Sequence, residues 1–188
     1  IDLKTPWERL TMAEAIKKHL GFDVSKLDDD ELKEKAEELK VKIGKRGRKF
    51  NRGLTIASIF ELVEDKLGGP VFITDFPKET TSLCKLHRND PNLIERFEPY
   101  IGGKEVGNAY TELNDPDLQR HFFEEEVKAK KEGDEEAHPL DEDFLTAMEH
   151  GMPPTGGLGL GIDRMVMIMT GTHAIRDVIA FPTLRNKK

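Results

Sequence analysis

Apolar residues between Leu54 and Leu67 recur at helical spacing, with Ile56, Ile59, Phe60, Val63 and Leu67 along one side. They predict a well-buried helix that ends at Gly68-Gly69-Pro70. Leu32, Ala36 and Leu39 mark a thinner stripe on a surface helix opened by the acidic run Asp28 to Glu31. Thr11 and Glu14 have the spacing of a capping box, ahead of a short helix that runs through Leu20 and stops at Gly21, after an opening loop. Val71 to Thr74 reads as a strand closed by Asp75-Phe76-Pro77, and Thr80 to Asn92 as loop. Ile94 to Tyr100 and Lys104 to Leu113, joined by a turn at Gly102-Gly103, form the clearest hairpin. Asp115-Pro116 opens a helix to about Glu132, supported by Arg120 with Glu124 and Glu124 with Lys128 at four-residue spacing. Asp141 caps another whose Phe144, Leu145 and Met148 face inward. A glycine-rich strand follows, then a buried helix carrying Met165 to Met169, a last buried strand at Val178 to Phe181 and a basic tail. The predicted class is α+β, an antiparallel sheet flanked by helices. Residues 1–188 form a single unit, mainly helical over 1–70 and sheet over 71–188.

Bulk properties narrow the classes open to this chain. A length of 188 residues suits one domain that buries about 70% of its unfolded surface. A hydrophobic content of 37% against 35% charged describes a soluble globular protein, and no apolar stretch approaches the ~20 residues that span a bilayer. No signal peptide is visible, and Ile1 in place of methionine suggests a piece of a longer protein. One cysteine, Cys84, allows neither an internal disulfide nor a cysteine zinc cluster, so a cytoplasmic location is the simplest expectation. A net charge of −7 argues against coating nucleic acid through bulk charge. The basic run Lys40 to Arg52 is either a local RNA contact or a solvated loop.

The run Pro153 to Arg164 is unusual in its glycines. Gly157, Gly159 and Gly161 alternate with leucine, so the segment can pair as a strand while offering almost no side chain on one face. Arg164 falls at the start of the next helix, where a guanidinium can fork onto phosphate oxygens. A glycine-rich turn that packs a core helix is the plain alternative. The spacing fits neither a dinucleotide fingerprint nor a P-loop.

The hairpin carries the other candidate chemistry. With Gly102 and Gly103 as turn residues, Tyr100 pairs with Glu105, and Glu98 and Glu105 become diagonal neighbours on one face. Paired carboxylates of this kind suit Mg²⁺, which uses one or two of them with phosphates and water; the alternative is two glutamates leaning into solvent. Asn108, Tyr110 and Glu112 alternate onto a single face, but strand parity puts Glu105 on the other. An inserted residue is needed to bring both sets into one pocket, and Gly107 is where a bulge is least costly.

The run Gly156 to Thr170 resembles the third signature motif of class II aminoacyl-tRNA synthetases, in which a glycine-rich strand underlies adenine and an arginine grips the ATP phosphates. Gly103 to Pro116 is similar to the amino-acid-binding segment of class II lysyl-tRNA synthetases. The likeness takes in Phe72 to Pro77, Leu86-His87-Arg88, Glu95 to Glu98, His150 to Thr155 and Ile175 to Pro182. It covers the chain well from about Val71 onward and Pro6 to Leu20 more loosely. The resemblance implies that Glu98 and Glu105 hold Mg²⁺ with ATP, and that Glu105, Val106, Gly159, Gly161 and Arg164 line the ATP site, with Glu105 and Arg164 catalytic. It implies that Asn108 meets the lysine carboxylate, Glu112 its ε-ammonium, and Tyr110 packs beside it. The implied reaction forms lysyl-adenylate from L-lysine and ATP and then charges tRNA(Lys), in a parent enzyme that is a homodimer.

Two of the three signature motifs of that class, and its anticodon-binding domain, have no counterpart in these residues, and Thr81-Ser82 stands where Ser-Pro is expected. The resemblance therefore implies the C-terminal part of a catalytic domain, inactive or weakly active alone. The alternatives are a non-catalytic truncated paralogue that binds ATP, lysine or a protein partner, an asparagine- or aspartate-type ligase, and a plain RNA-binding module. Glu112 argues against the second, since those substrates carry no ε-ammonium.

Overall fold

The computed structural model describes residues 1–41, 50–131 and 139–183. Its elements in chain order are β1 (Glu8–Thr11), α1 (Met12–Leu20), α2 (Asp29–Glu38), α3 (Arg52–Glu64), β2 (Val71–Pro77), β3 (Leu93–Ile101), β4 (Lys104–Glu105) and β5 (Gly107–Thr111). There follow α4 (Pro116–Lys131), α5 (Glu142–Glu149), β6 (Gly156–Leu160) and α6 (Ile162–Thr170). The strands form one sheet in the order β1-β2-β3-β5-β6, with β4 also paired to β3.

Most pairings are antiparallel, as the hairpins dictate, but β1 runs parallel to β2 and makes the sheet mixed. Sequence reading gave Glu8 to Thr11 as loop. Its four residues show two exposed and two half-buried positions, too short and too weakly alternating to register as a strand. β2 also continues past its expected end, through an irregularity at Asp75, which sits at φ 58°.

Both N-terminal helices begin where their caps predict. Thr11 Oγ1 accepts from the Glu14 N–H while the Glu14 carboxylate accepts from the Thr11 N–H; Asp28 and Glu31 repeat the arrangement on α2. Asn51 caps α3 by accepting from the Leu54 N–H at 2.9 Å. The core lies between α1 to α3 and one face of β2 and β3, where Met12, Ile16, Leu32, Ile59, Phe60 and Val63 meet Val71, Ile73, Ile94 and Tyr100. On the opposite face Trp7, Phe72 and Phe97 stack in sequence, with ring centroids 5.3 and 5.7 Å apart.

The C-terminal part departs further from expectation. Arg120 keeps an electrostatic attraction to Glu124 of its own helix, but its guanidinium forks onto Glu142 of α5 at 2.8 and 2.9 Å and so also ties two helices together. Leu145 and Met148 are buried as predicted, whereas Phe144 is exposed. The helix after the glycine strand is not a core helix here. Only Met167 of α6 is buried, and Ile162, Val166 and Met169 face outward. Val178 to Phe181 is not a strand, since no described strand lies beside it to complete a ladder, and Phe181 is 94% exposed. Most of the basic run, residues 42–49, the end of the α4 prediction at Glu132 and the basic tail from 184 lie outside the described residues. At the near end of that run Arg52 is structural, with its guanidinium on Asp29 and on the carbonyls of Val24 and Leu27.

Candidate active site

The turn between β3 and β4 sets the register of the site. Gly102 and Gly103 take φ values of 59° and 73°, the left-handed pair of a two-residue hairpin, and Tyr100 faces Glu105 across it as predicted. Four residues on, the partners are Phe97 with Ala109 and Arg96 with Tyr110, so one residue has been inserted in the returning strand. Val106 and Gly107 together take the place opposite Pro99, whose carbonyl accepts from the Val106 N–H at 2.8 Å. This is the bulge the sequence required. It returns Asn108, Tyr110 and Glu112 to the face that already holds Arg96, Glu98, Tyr100 and Glu105.

At one end of that face the carboxylates gather. Glu98 is buried, with one oxygen accepting from the Tyr100 hydroxyl at 2.9 Å and the other from the Arg96 guanidinium. The Tyr100 hydroxyl also lies 3.0 Å from Glu64, and its single proton serves one carboxylate at a time. Burial raises the Glu98 pKa, which Arg96 opposes and the nearby Glu105 reinforces; burial likewise raises Glu64. Glu105 is held by Arg164, which reaches its carboxylate at 3.0 Å and its carbonyl at 2.9 Å. The Gly161 N–H donates to the Val106 carbonyl at 3.0 Å and brings the start of α6 against the bulge. Glu98, Glu105, Val106, Gly161 and Arg164 are therefore one neighbourhood.

The other end faces the glycine strand. Asn108 opposes Gly159 and Tyr110 opposes Gly157 in the β5–β6 ladder, and Glu112 follows through its N–H to the Thr155 carbonyl at 2.9 Å. A side chain at Gly157 would put its Cβ 2.0 Å from a Glu112 oxygen, so this glycine is the space the carboxylate occupies. Gly159 has nothing nearer than 3.8 Å to such a Cβ, and its surface is open. Glu112 makes no ion pair among the described residues, and partial burial raises its pKa. Tyr110 is raised as well, by burial first and then by Glu112. A half-buried carboxylate that lies against the backbone of Gly157, the residue paired with Tyr110, can accept a cation.

Glu98, Glu105, Asn108, Tyr110 and Glu112 lie on this face with Gly161 and Arg164 at its edge, and the neighbourhood also contains three residues to which the sequence assigns no role. Glu64 comes from α3, and Tyr100 and Arg96 from β3. The strand alternation Arg96, Glu98, Tyr100 could have placed the last two; nothing local could have placed Glu64. His87 and Arg88 instead line a cleft of about 490 Å³ with Thr74, Glu95 and Thr111, which meets the site only at Arg96, Tyr110 and Gly157. Arg88 is the surface partner of Glu95, at 2.7 Å, and its hydrogen bonds hold that carboxyl down to about 2.

Mg²⁺ can be tested against the donor set. Among the described residues no three ligating side chains converge as a protein-only cage. Glu98 and Glu105 are adjacent carboxylates whose charges oppose one another, and a divalent ion that completes its shell from phosphates and water fits them.

Comparison with known proteins bears on the whole chain. The family of class II tRNA synthetases (D, K and N) matches residues 1–185. The chain is 52% identical over 188 residues to a lysine–tRNA ligase of Saccharolobus solfataricus, covering all of this chain and 38% of that protein. It is 49% identical over 189 residues to the lysine–tRNA ligase of Thermoanaerobacter pseudethanolicus and 46% to that of Porphyromonas gingivalis, covering 37% and 32% of them. The chain thus spans well under half the length of these relatives.

Proposed function

Because the chain belongs to the class II tRNA synthetase family of D, K and N type, we propose that it forms part of the catalytic domain of a lysine–tRNA ligase. Residues 1–188 are one unit of that domain, with the helices of 1–70 buttressing the sheet and motif residues of 71–188. The parent protein activates L-lysine with ATP to lysyl-adenylate, passes the lysyl group to tRNA(Lys), works as a homodimer in the cytoplasm and needs no membrane. Among the described residues no helix is long and apolar enough to cross one.

The observation that carries this reading is the bulge at Val106–Gly107, which gives one face both the Glu98–Glu105 pair and the row Asn108, Tyr110 and Glu112. On this reading Glu112 accepts the ε-ammonium, since a cation entering a partly buried site needs an ionised acceptor. Tyr110 packs along the aliphatic stem, and Asn108 donates to the carboxylate. Adenine lies on the open backbone of Gly159, with Gly161 and Val106 beside it. Arg164 has five donors and uses one terminal nitrogen on Glu105, so others remain for phosphate. Mg²⁺ held by Glu98 and Glu105 would supply charge neutralisation at the phosphates. The lysine carboxylate then attacks the α-phosphorus and pyrophosphate leaves, with positioning and charge complementarity as the main sources of rate.

Lysine-dependent ATP–pyrophosphate exchange tests the reading. Exchange by the chain that needs lysine and is lost in Glu105→Gln supports it. So does an inactive chain whose exchange appears when the remaining length of a lysine–tRNA ligase is supplied in trans, which is the expected result for an incomplete site. Absence of exchange under both conditions overturns it in favour of a non-catalytic paralogue that binds ATP, lysine or a protein partner.

A further inference from the structure

Arg96 stands between the two ends of the site and has been given no part in the reaction. It lies on β3 opposite Tyr110, its side chain is only 16% exposed, and its guanidinium sits 4.7 Å from the centre of the Phe76 ring. Its Nε donates to Asn108 Oδ1 at 3.1 Å, and a terminal nitrogen donates to Glu98 Oε1. The other Glu98 oxygen is taken by the Tyr100 hydroxyl, so the guanidinium is fixed at both ends and along its face.

An arginine offers donors and no acceptor. An asparagine that faces it must turn its carbonyl oxygen inward, which leaves the NH₂ group as the outward edge of the amide. A carboxylate ligand has acceptors and no donor, so only this orientation of Asn108 can receive one. Released from Arg96, the amide can rotate and present its oxygen, which repels a carboxylate and attracts an ammonium. Lysine carries both groups, so the orientation also decides which end of the substrate is accepted here.

We propose that Arg96 is a positioning residue that fixes the Asn108 amide with its NH₂ toward the substrate carboxylate. The inference rests on the lysine reading above and adds to it the residue that sets the polarity of the carboxylate end. Arg96 touches neither substrate nor ATP in this role and works through Asn108.

Calorimetric titration of the chain with L-lysine and with 1,5-diaminopentane, which is lysine without its carboxylate, tests it. The expected result is that Arg96→Gln weakens lysine about tenfold, the scale of one hydrogen bond to a charged group, and leaves diaminopentane unchanged. Asn108→Ala should do the same, and the double variant should bind lysine no worse than either single one. Arg96→Lys, which keeps a donor, should recover part of the loss; it also provides the comparison if thermal melting shows that Arg96→Gln does not fold. Equal weakening of both ligands would reduce Arg96 to a general support and overturn the proposal. Additive losses in the double variant would mean that its charge acts on the carboxylate directly, and would overturn it too. A wild-type chain that binds lysine but is indifferent to Arg96→Gln overturns this inference alone, whereas one that binds lysine neither by itself nor with the remaining length of a lysine–tRNA ligase supplied in trans removes the function reading beneath it.

Discussion

Gly157 and Glu112 illustrate how much one residue decides. Alanine at Gly157 would set its methyl carbon 2.0 Å from a Glu112 oxygen, so the carboxylate must move off its seat, whereas alanine at Gly159 meets nothing closer than 3.8 Å in the chain. Gly157→Ala is therefore expected to weaken lysine binding at least tenfold with little change in melting temperature, because the position lies on a partly open strand. Gly159→Ala should leave lysine binding intact and weaken ATP, whose adenine is proposed to lie on that surface; titration with each ligand separates the two. The glycines and the glutamate were legible in sequence as types and spacings. Their mutual contact was not, because it depends on the β5–β6 register, which no local signal states.

Helix starts were the most legible elements, because a cap is a local chemical event. The Asp28 carboxylate accepts from the N–H groups of Asp30 and Glu31 at 3.0 and 2.9 Å. Asp28→Ala is expected to cost about 1 kcal/mol of stability, and Asp28→Asn, which keeps an acceptor, distinctly less, as read from urea midpoints. Elements whose character depends on a neighbour were misread. β1 is a strand because β2 lies beside it, and α6 is apolar yet mostly exposed because among the described residues it packs chiefly on the turn at Ile175–Asp177. Arg120 pairs across helices with Glu142 because a bidentate partner was brought within reach, which a four-residue spacing rule cannot anticipate. The need for a bulge could be read from parity alone, since the three alternating residues Asn108, Tyr110 and Glu112 cannot share a face with Glu105 unless one position is skipped.

Over the whole molecule, burial and ion pairing pull the acid response in opposite directions. Glu98 and Glu64 have raised pKa values because they are buried, so the folded chain binds their protons more readily than the unfolded chain, and stability rises as pH falls through those raised values. Glu95 is held down to about 2 by hydrogen bonds from Arg88; its contribution is present above the unfolded value near 4.3 and is lost as pH falls toward 2. Urea midpoints are thus expected to increase as the pH falls from neutrality toward the ordinary carboxylate range and to decrease again below it. Glu98→Gln and Glu64→Gln should each flatten the first change, and Arg88→Ala, which releases the Glu95 carboxyl toward its unfolded value, should diminish the second. The sequence alone determined the α+β class, the helix starts, the glycine turn and the residue types of the candidate site, all written in local spacing and in the 3.6- and 2-residue periods. Tertiary structure alone decided that the sheet is mixed, that Glu64 joins Glu98 through Tyr100, that Arg96 holds Asn108, and that the described residues leave α6 largely uncovered. Each of these depends on groups far apart in the chain, whose meeting is set by strand register and packing rather than by any short run of residues.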